Sequence, residues 1–234
     1  GNIAGLPEHW RFSNYATAFF NANIMQYFLN SVLVTGVTIL VTLVAAATAA
    51  YAISRMIWRG RETMLKVILL GMMVPIHAAL LPLFIILSKT HLLNSYWSLI
   101  IPYVAFGLPM AIYLFTSFMA SIPKEMEEAA AIDGCGIYQM FFRIIFPLIR
   151  PAIATVSIFT FISSWNELMF AVTFINKSEY KTLTVGIMSM VGAYTTKWGE
   201  IGAGLMIATI PTVIVYLLLS EQVQNSLVAG AVKG

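Results

Sequence analysis

A chain of 234 residues that is 59% hydrophobic and only 10% charged carries too little polar surface to cover a water-exposed globule of its size, since soluble domains run to about 25% charged residues. Its net charge of +3 excludes the dense basic face of a nucleic-acid binder, and its lone cysteine, Cys135, excludes an internal disulfide. With a mean hydropathy of +0.84 spread along the whole chain, the composition is that of an all-α, polytopic membrane protein. Helices rather than barrel strands are indicated, because the apolar runs are continuous instead of alternating over ~10 residues.

In chain order, residues 1–23 read as an extracytoplasmic, interfacial segment marked by Trp10, Phe12 and Tyr15. It is neither a signal peptide nor a span. Five stretches then meet the requirement of roughly 20 mainly apolar residues for a crossing. Span A runs from Ile24 to Ile53, B from Met64 to Leu87, C from Tyr96 to Met119, D from Pro151 to Ile175 and E from Gly202 to Leu219. Together they define a transmembrane region over 24–220, followed by a cytoplasmic tail over 221–234. Pro75, Pro82, Pro102, Pro109 and Pro211 fall in or near spans, where neighbouring helices can satisfy the backbone groups a kink frees. A kink beside a transport path would also serve as a hinge.

Orientation follows the distribution of Lys and Arg in short loops. Arg55, Arg59, Arg61 and Lys66 crowd the A–B loop; Lys124, Arg143 and Arg150 lie between C and D, and Lys233 in the tail. Arg11, Lys89, Lys177, Lys181 and Lys197 lie on the other side. The A–B loop, the C–D segment and the C-terminus are therefore expected in the cytoplasm. An extracytoplasmic N-terminal segment, in a chain opening with Gly1, suggests a preceding helix absent from this sequence.

The C–D segment, residues 121–147, is more specific. Pro123 suits a first helical turn, where its missing N–H is no loss. Glu125, Glu127 and Glu128 complement the positive end of the helix dipole. Ala129, Ala130 and Ala131 give a narrow face, and Gly134 stands where a C-terminal cap belongs. A second helix follows and stops at Pro147. This predicts a short cytoplasmic helix–turn–helix that either presses into a groove on another protein or lies on the membrane surface without a partner.

Glu128-Ala129-Ala130, then Gly134, Ile144 and Pro147, resemble the EAA loop of ABC importer permeases, whose pattern is E-A-A, three residues, G, nine residues, I-x-L-P. The chain departs from it only at Phe146, which stands for Leu and stays apolar. In that family the loop is the coupling helix that sits in a cleft of a cytoplasmic ABC ATPase. The resemblance thus implies that Glu128, Ala129, Ala130, Asp133, Gly134, Ile144 and Pro147 serve ATPase coupling. Asn30-Ser31, Ala49-Ala50-Tyr51-Ala52, Arg59-Gly60-Arg61, Pro82-Leu83-Phe84, Trp165-Asn166-Glu167, Tyr194-Thr195-Thr196-Lys197-Trp198-Gly199 and the tail Gly230-Ala231-Val232-Lys233-Gly234 resemble the maltose-type carbohydrate permeases. That family implies six transmembrane helices, an ATPase dimer holding the ATP and Mg, a second permease subunit of a different sequence, an extracytoplasmic sugar-binding protein and a bacterial or archaeal plasma membrane.

Within span D, Glu167 would cost about 2.5–3.5 kcal/mol or more if it faced lipid, so it is expected to face the bundle interior or a water-filled path. Trp165 and Asn166 beside it offer an indole for a sugar's ring face and an amide for its hydroxyls; the alternative reading of the trio is glue between helices. His77 has no second ligand at metal spacing. Met72, Met73, Met188 and Met190 read as gap-filling. Tyr96, Trp97, Tyr180, Tyr194 and Trp198 read as an interfacial belt. No P-loop, H-E-x-x-H or G-x-S-x-G motif occurs, so no catalytic residue, metal or bound cofactor is expected here. The competing readings are an importer for a non-sugar solute, a membrane-embedded enzyme around Glu167 and His77, and a channel, which would need a filter motif.

Overall fold

The computed structural model describes residues 11–21, 23–191, 196 and 198–231, all of its regular structure helical. Trp10, Tyr194, Thr195, Lys197 and the last residues Val232, Lys233 and Gly234, all used above, lie outside the described residues.

Helix α1 (Ser13–Asn21) lies against the start of the last helix, and α2 (Ile24–Ser54) is the long central rod. Span B is not one helix. It forms α3 (Arg61–Leu70), a 3-10 turn at Gly71–Met73, a break at Val74 and Pro75, a second 3-10 turn at Ile76–Ala79, and α4 (Leu80–Lys89). The two halves meet at 88°. A proline forces its predecessor out of the α region, and Val74 accordingly adopts φ −75, ψ 116. Reading Pro75 as a mild kink therefore understates its effect. Pro82 falls in the first turn of α4, where no helical N–H is lost, and α5 (Trp97–Ala120) runs through Pro102 and Pro109 unbroken.

The segment between spans C and D forms α6 (Glu125–Ile132) and α7 (Ile137–Met140). The latter continues through a π turn at Phe141–Ile145 into α8 (Phe146–Leu148) and then bends by 74° into α9 (Arg150–Trp165). Span D is also broken. Its helix ends at Trp165, and the chain restarts as α10 (Met169–Phe174). A short α11 (Leu183–Met188) follows, then α12 (Trp198–Ala231), which carries most of the expected tail as a continuation of span E. Three described helices, Ile24–Ser54, Trp97–Ala120 and Trp198–Ser220, are long and apolar enough to cross a membrane singly, or up to five if each bent pair counts as one span.

The core divides along the rods. Near one end, Ala46, Ala47 and Ala50 of α2 let the backbone approach Ala111 and Phe115 of α5, with Phe141, Ile145 and Ala152 closing the cluster. Small residues at such contacts are how apolar helices associate where burial from water offers no drive. Toward the other end, Val34, Leu99, Tyr103, Phe170 and Phe174 form a second cluster. A third, with Tyr27, Phe161, Trp165 and Ile201, joins α9 to α12.

Candidate functional site

Two features draw on these elements: a solvent-facing helical hairpin at one end and a cavity inside the bundle.

The hairpin begins at Pro123 and Lys124, with Glu125, Glu127 and Glu128 in the first turn of α6. It ends in a double C-terminal closure. The Cys135 N–H reaches the Ala130 carbonyl at 2.9 Å and the Gly134 N–H the Ala131 carbonyl at 3.1 Å, which is the Schellman pattern. That closure puts Gly134 at φ +80, a conformation with little penalty only for glycine. The Gly136 N–H then donates to Gln139 Oε1 and starts α7. With the C-terminal carbonyls satisfied locally, Glu128, Ala129, Asp133 and Gly134 remain exposed, and Ile132 is 87% exposed. Ala130 turns the other way and is buried, Ile144 is half-buried, and Pro147 is exposed within α8.

The tie between this hairpin and the bundle is Arg55, which sequence reasoning treated only as one more loop cation. Its Nη1 lies 3.1 Å from Glu127 Oε2, with side chains 4% and 15% exposed. Its Nη2 donates to the Ile122 carbonyl at 2.7 Å and to the Met119 carbonyl at the end of α5. No local signal pairs positions 72 residues apart, so only the fold reveals it.

The cavity has a volume of about 320 Å³ and is lined by the break in span B (Gly71, Met72, Val74, Ile76), by one face of α5 and by Thr160, Ser163 and Ser164 of α9. Met72 is thus a wall residue rather than filler. Gly71 stands where α5 comes close, since a Cβ there would lie 3.0 Å from Pro109 Cγ and that ring would have to give by a few tenths of an ångström. Glu167 is the one carboxylate among the lining residues. Its Oε1 accepts the Phe170 N–H at 2.7 Å, and its Oε2 accepts the Ala171 N–H at 3.1 Å and the Tyr103 hydroxyl at 2.7 Å. A carboxylate that takes the first free N–H groups of α10 stabilises a helix start there, which is why span D breaks where it does. Thr184 Oγ1 donates to the Glu167 carbonyl at 2.9 Å.

Of the trio Trp165-Asn166-Glu167, only Glu167 lines the cavity. Trp165 is buried, stacks on Phe161, meets Phe28 edge-on and donates Nε1–H to the Ala208 carbonyl at 3.0 Å. Asn166 is exposed and donates to the Ile162 carbonyl at 2.9 Å, closing α9. His77 is exposed outside the cavity lining, and among the described residues no three His, Cys, Asp or Glu side chains group as metal ligands.

At the opposite end from the hairpin, the belt residues Tyr96 and Tyr180 turn inward. They meet edge to face at 5.0 Å, and the Tyr96 hydroxyl donates to Asn30 Oδ1 at 2.9 Å. Asn30 Nδ2 in turn donates to the Glu179 and Lys181 carbonyls, both at 2.9 Å, and Ser31 Oγ accepts the Leu183 N–H at 2.8 Å. Trp97 and Trp198 remain exposed, as a belt requires.

Known proteins share this chain's sequence and fold. Residues 42–230 match the family described as binding-protein-dependent transport system inner membrane component. The chain is 40% identical over 229 residues to the probable ABC transporter permease YurM of Bacillus subtilis, covering 98% of this chain and 76% of that one. It is 36% identical over 227 residues to the diacetylchitobiose uptake system permease NgcG of Streptomyces coelicolor, covering 96% and 75%. Its fold superposes with a TM-score of 0.83 on a bacterial ABC transporter that imports the acidic polysaccharide alginate, at 24% identity over 94% of this chain and 82% of that one.

Proposed function

The chain belongs to the family of binding-protein-dependent transport system inner membrane components, and from that premise we propose that it is a sugar-importing permease subunit that couples to an ATPase through α6 and forms part of the translocation path with the cavity at Glu167. It is a multi-pass inner-membrane permease of the ABC type. Sugar as cargo is supported by a relative named for diacetylchitobiose uptake and by the hydroxyl and aromatic groups around the cavity.

The observation that carries the coupling role is a helix whose C-terminal carbonyls are closed locally while Glu128, Ala129, Asp133 and Gly134 stay uncommitted to the bundle. A cleft in a cytoplasmic ATPase dimer accepts that face; Ala130, Ile144 and Pro147 shape the hairpin behind it. ATP and Mg reside on the ATPase, since this chain has no phosphate-binding loop. A second permease subunit completes the path, and an extracytoplasmic binding protein delivers the sugar on the side of Asn30, Tyr96 and Glu179. The hairpin and the C-terminus then face the cytoplasm. Closure of the ATPases moves α6 and with it the walls of the cavity. Such a shift requires a ligand or partner that interacts differently with the two states, and the docked ATPase and the bound sugar are those partners. Glu167 holds the Tyr103 wall to the start of α10, while Trp165 anchors α9 to α12 behind it.

The test is affinity purification of the tagged, full-length chain from membranes, with sugar uptake measured in the same cells. Recovery of a P-loop ATPase and a second permease, with both the ATPase and uptake lost in Ala129→Asp and Gly134→Asp, is the expected result. A chain recovered alone, or variants that retain the ATPase and transport normally, would overturn the reading.

A further inference from the structure

We infer that Arg55 is the positioning residue of the coupling machinery, a latch whose guanidinium makes α6 move as one body with the ends of α2 and α5. The inference rests on the importer reading above.

The need for a latch follows from how little else holds α6. The helix is tethered by short connections to α5 and α7 and buries a single side chain, Ala130; besides Arg55, the Tyr51 hydroxyl of α2 faces Glu127. A helix on such a tether would swivel when a partner pushed it, and the push would be lost as rotation.

Arg55 removes that freedom. It follows the last residue of α2, and its own N–H donates to the Tyr51 carbonyl at 2.9 Å. Its side chain crosses to the end of α5, where Nη2 serves the Met119 and Ile122 carbonyls, and Nη1 grips Glu127 on the inner side of α6. Three elements thus converge on one planar, permanently charged group. Lysine could not reproduce this, because a single ammonium lacks the fixed fork that serves several acceptors in defined directions. The carbonyls at a helix C-terminus carry the negative end of its dipole and favour a cation there. The pair is shielded from solvent, so it is little weakened by salt. The α5 end held in this way continues directly into Leu114, Met110, Gly107, Phe106 and Tyr103, which line the cavity. A displacement at Glu127 therefore reaches that wall through one rigid helix.

Glu127 and Glu128 divide the labour on adjacent positions. Glu127 faces inward to the latch and Glu128 stays exposed on the outer face. Loss of the latch should thus leave ATPase docking intact and separate hydrolysis from transport.

The experiment uses the full complex in proteoliposomes and compares wild type with Arg55→Lys and with the double variant Arg55→Met/Glu127→Met. The double variant removes the latch without leaving a buried charge unpaired, the change most apt to unfold the protein. The first readout is ATP hydrolysed per sugar imported. Loss of folded protein lowers both rates together, whereas loss of the latch raises the ratio, by about fivefold or more given that couplings between sites typically span about 5–150-fold. Arg55→Lys should fall between. The second readout is the width of the distance distribution between spin labels at Met126→Cys and Tyr113→Cys, with Cys135→Ser as background. It should be narrow with Arg55 and broad in the double variant. A width and ratio unchanged by the double variant would overturn the latch. A wild-type complex without sugar-stimulated hydrolysis would instead overturn the importer reading and the coupling role with it, while the label width would still report whether Arg55 pins α6.

Discussion

Helix α6 and the wall around Glu167 solve the same problem, what to do with the free backbone groups at a helix end, in opposite ways. At α6 the solution is local: Gly134 turns left-handed and the carbonyls of Ala130 and Ala131 accept N–H groups five and three residues on. Its outer side chains have no structural duty and are available to a partner. At Glu167 the start of α10 is closed by a carboxylate that is also bonded to Tyr103, 64 residues away. There a side chain that lines the cavity is also a structural fastener. The contrast teaches that substitutions on α6 should affect association while sparing the fold, whereas substitutions at the cavity wall should affect both.

That comparison can be broken or sharpened by measuring stability and transport side by side. The largest expected effect is Trp165→Ala, which deletes a buried ring stacked on Phe161 and its hydrogen bond to the Ala208 carbonyl of α12. It should lower stability by about 3–5 kcal/mol, seen as a drop in the thermal unfolding midpoint of purified protein. Next comes Glu167→Ala, which leaves the N–H groups of Phe170 and Ala171 and the Tyr103 hydroxyl unserved. A loss of about 2–4 kcal/mol is expected, with Glu167→Gln milder in the same thermal assay. An unchanged midpoint for Glu167→Ala would mean that the wall is not fastened there.

Asn30→Ala should cost about 1–3 kcal/mol through the abandoned Lys181 carbonyl and Tyr96 hydroxyl, the Glu179 carbonyl keeping Gln26 as donor. Hydrogen exchange at 177–182 should rise before that of α2. The smallest effect on the fold belongs to Asp133→Ala, on the exposed end of α6. Its stability should stay within about 0.5 kcal/mol of wild type while ATPase recovery in a pull-down falls. If Asp133→Ala unfolded the protein, or if Trp165→Ala left stability untouched, the division between the two regions would be lost.

The hairpin was legible because its signals sit within a few residues of one another: a proline and carboxylates at the start, alanines through the body, glycine at the end. Span A and span C were legible for a similar reason, each being a single apolar run that closes its own hydrogen bonds. Spans B and D were not, because an apolar run has the same composition whether straight or folded back. At Pro75 the signal for a break is local, a proline that forces Val74 out of the α region. At Glu167 the break depends on which N–H groups the carboxylate reaches, and on a tyrosine from another helix. The Trp165-Asn166-Glu167 trio looked like one site because its members are adjacent, yet a helix end sends adjacent side chains in different directions.

From the sequence alone came the membrane environment, the helical class, the positions of the long rods and the exposed hairpin with its left-handed glycine, all consequences of composition or of interactions within a turn or two. The 88° fold of span B around a cavity, the choice of Glu167 over its neighbours as a wall residue and the Arg55 tie to Glu127 were decided by the tertiary structure. Each of these depends on a contact between residues many turns apart, where the free energy lies in the pairing of two groups rather than in either alone.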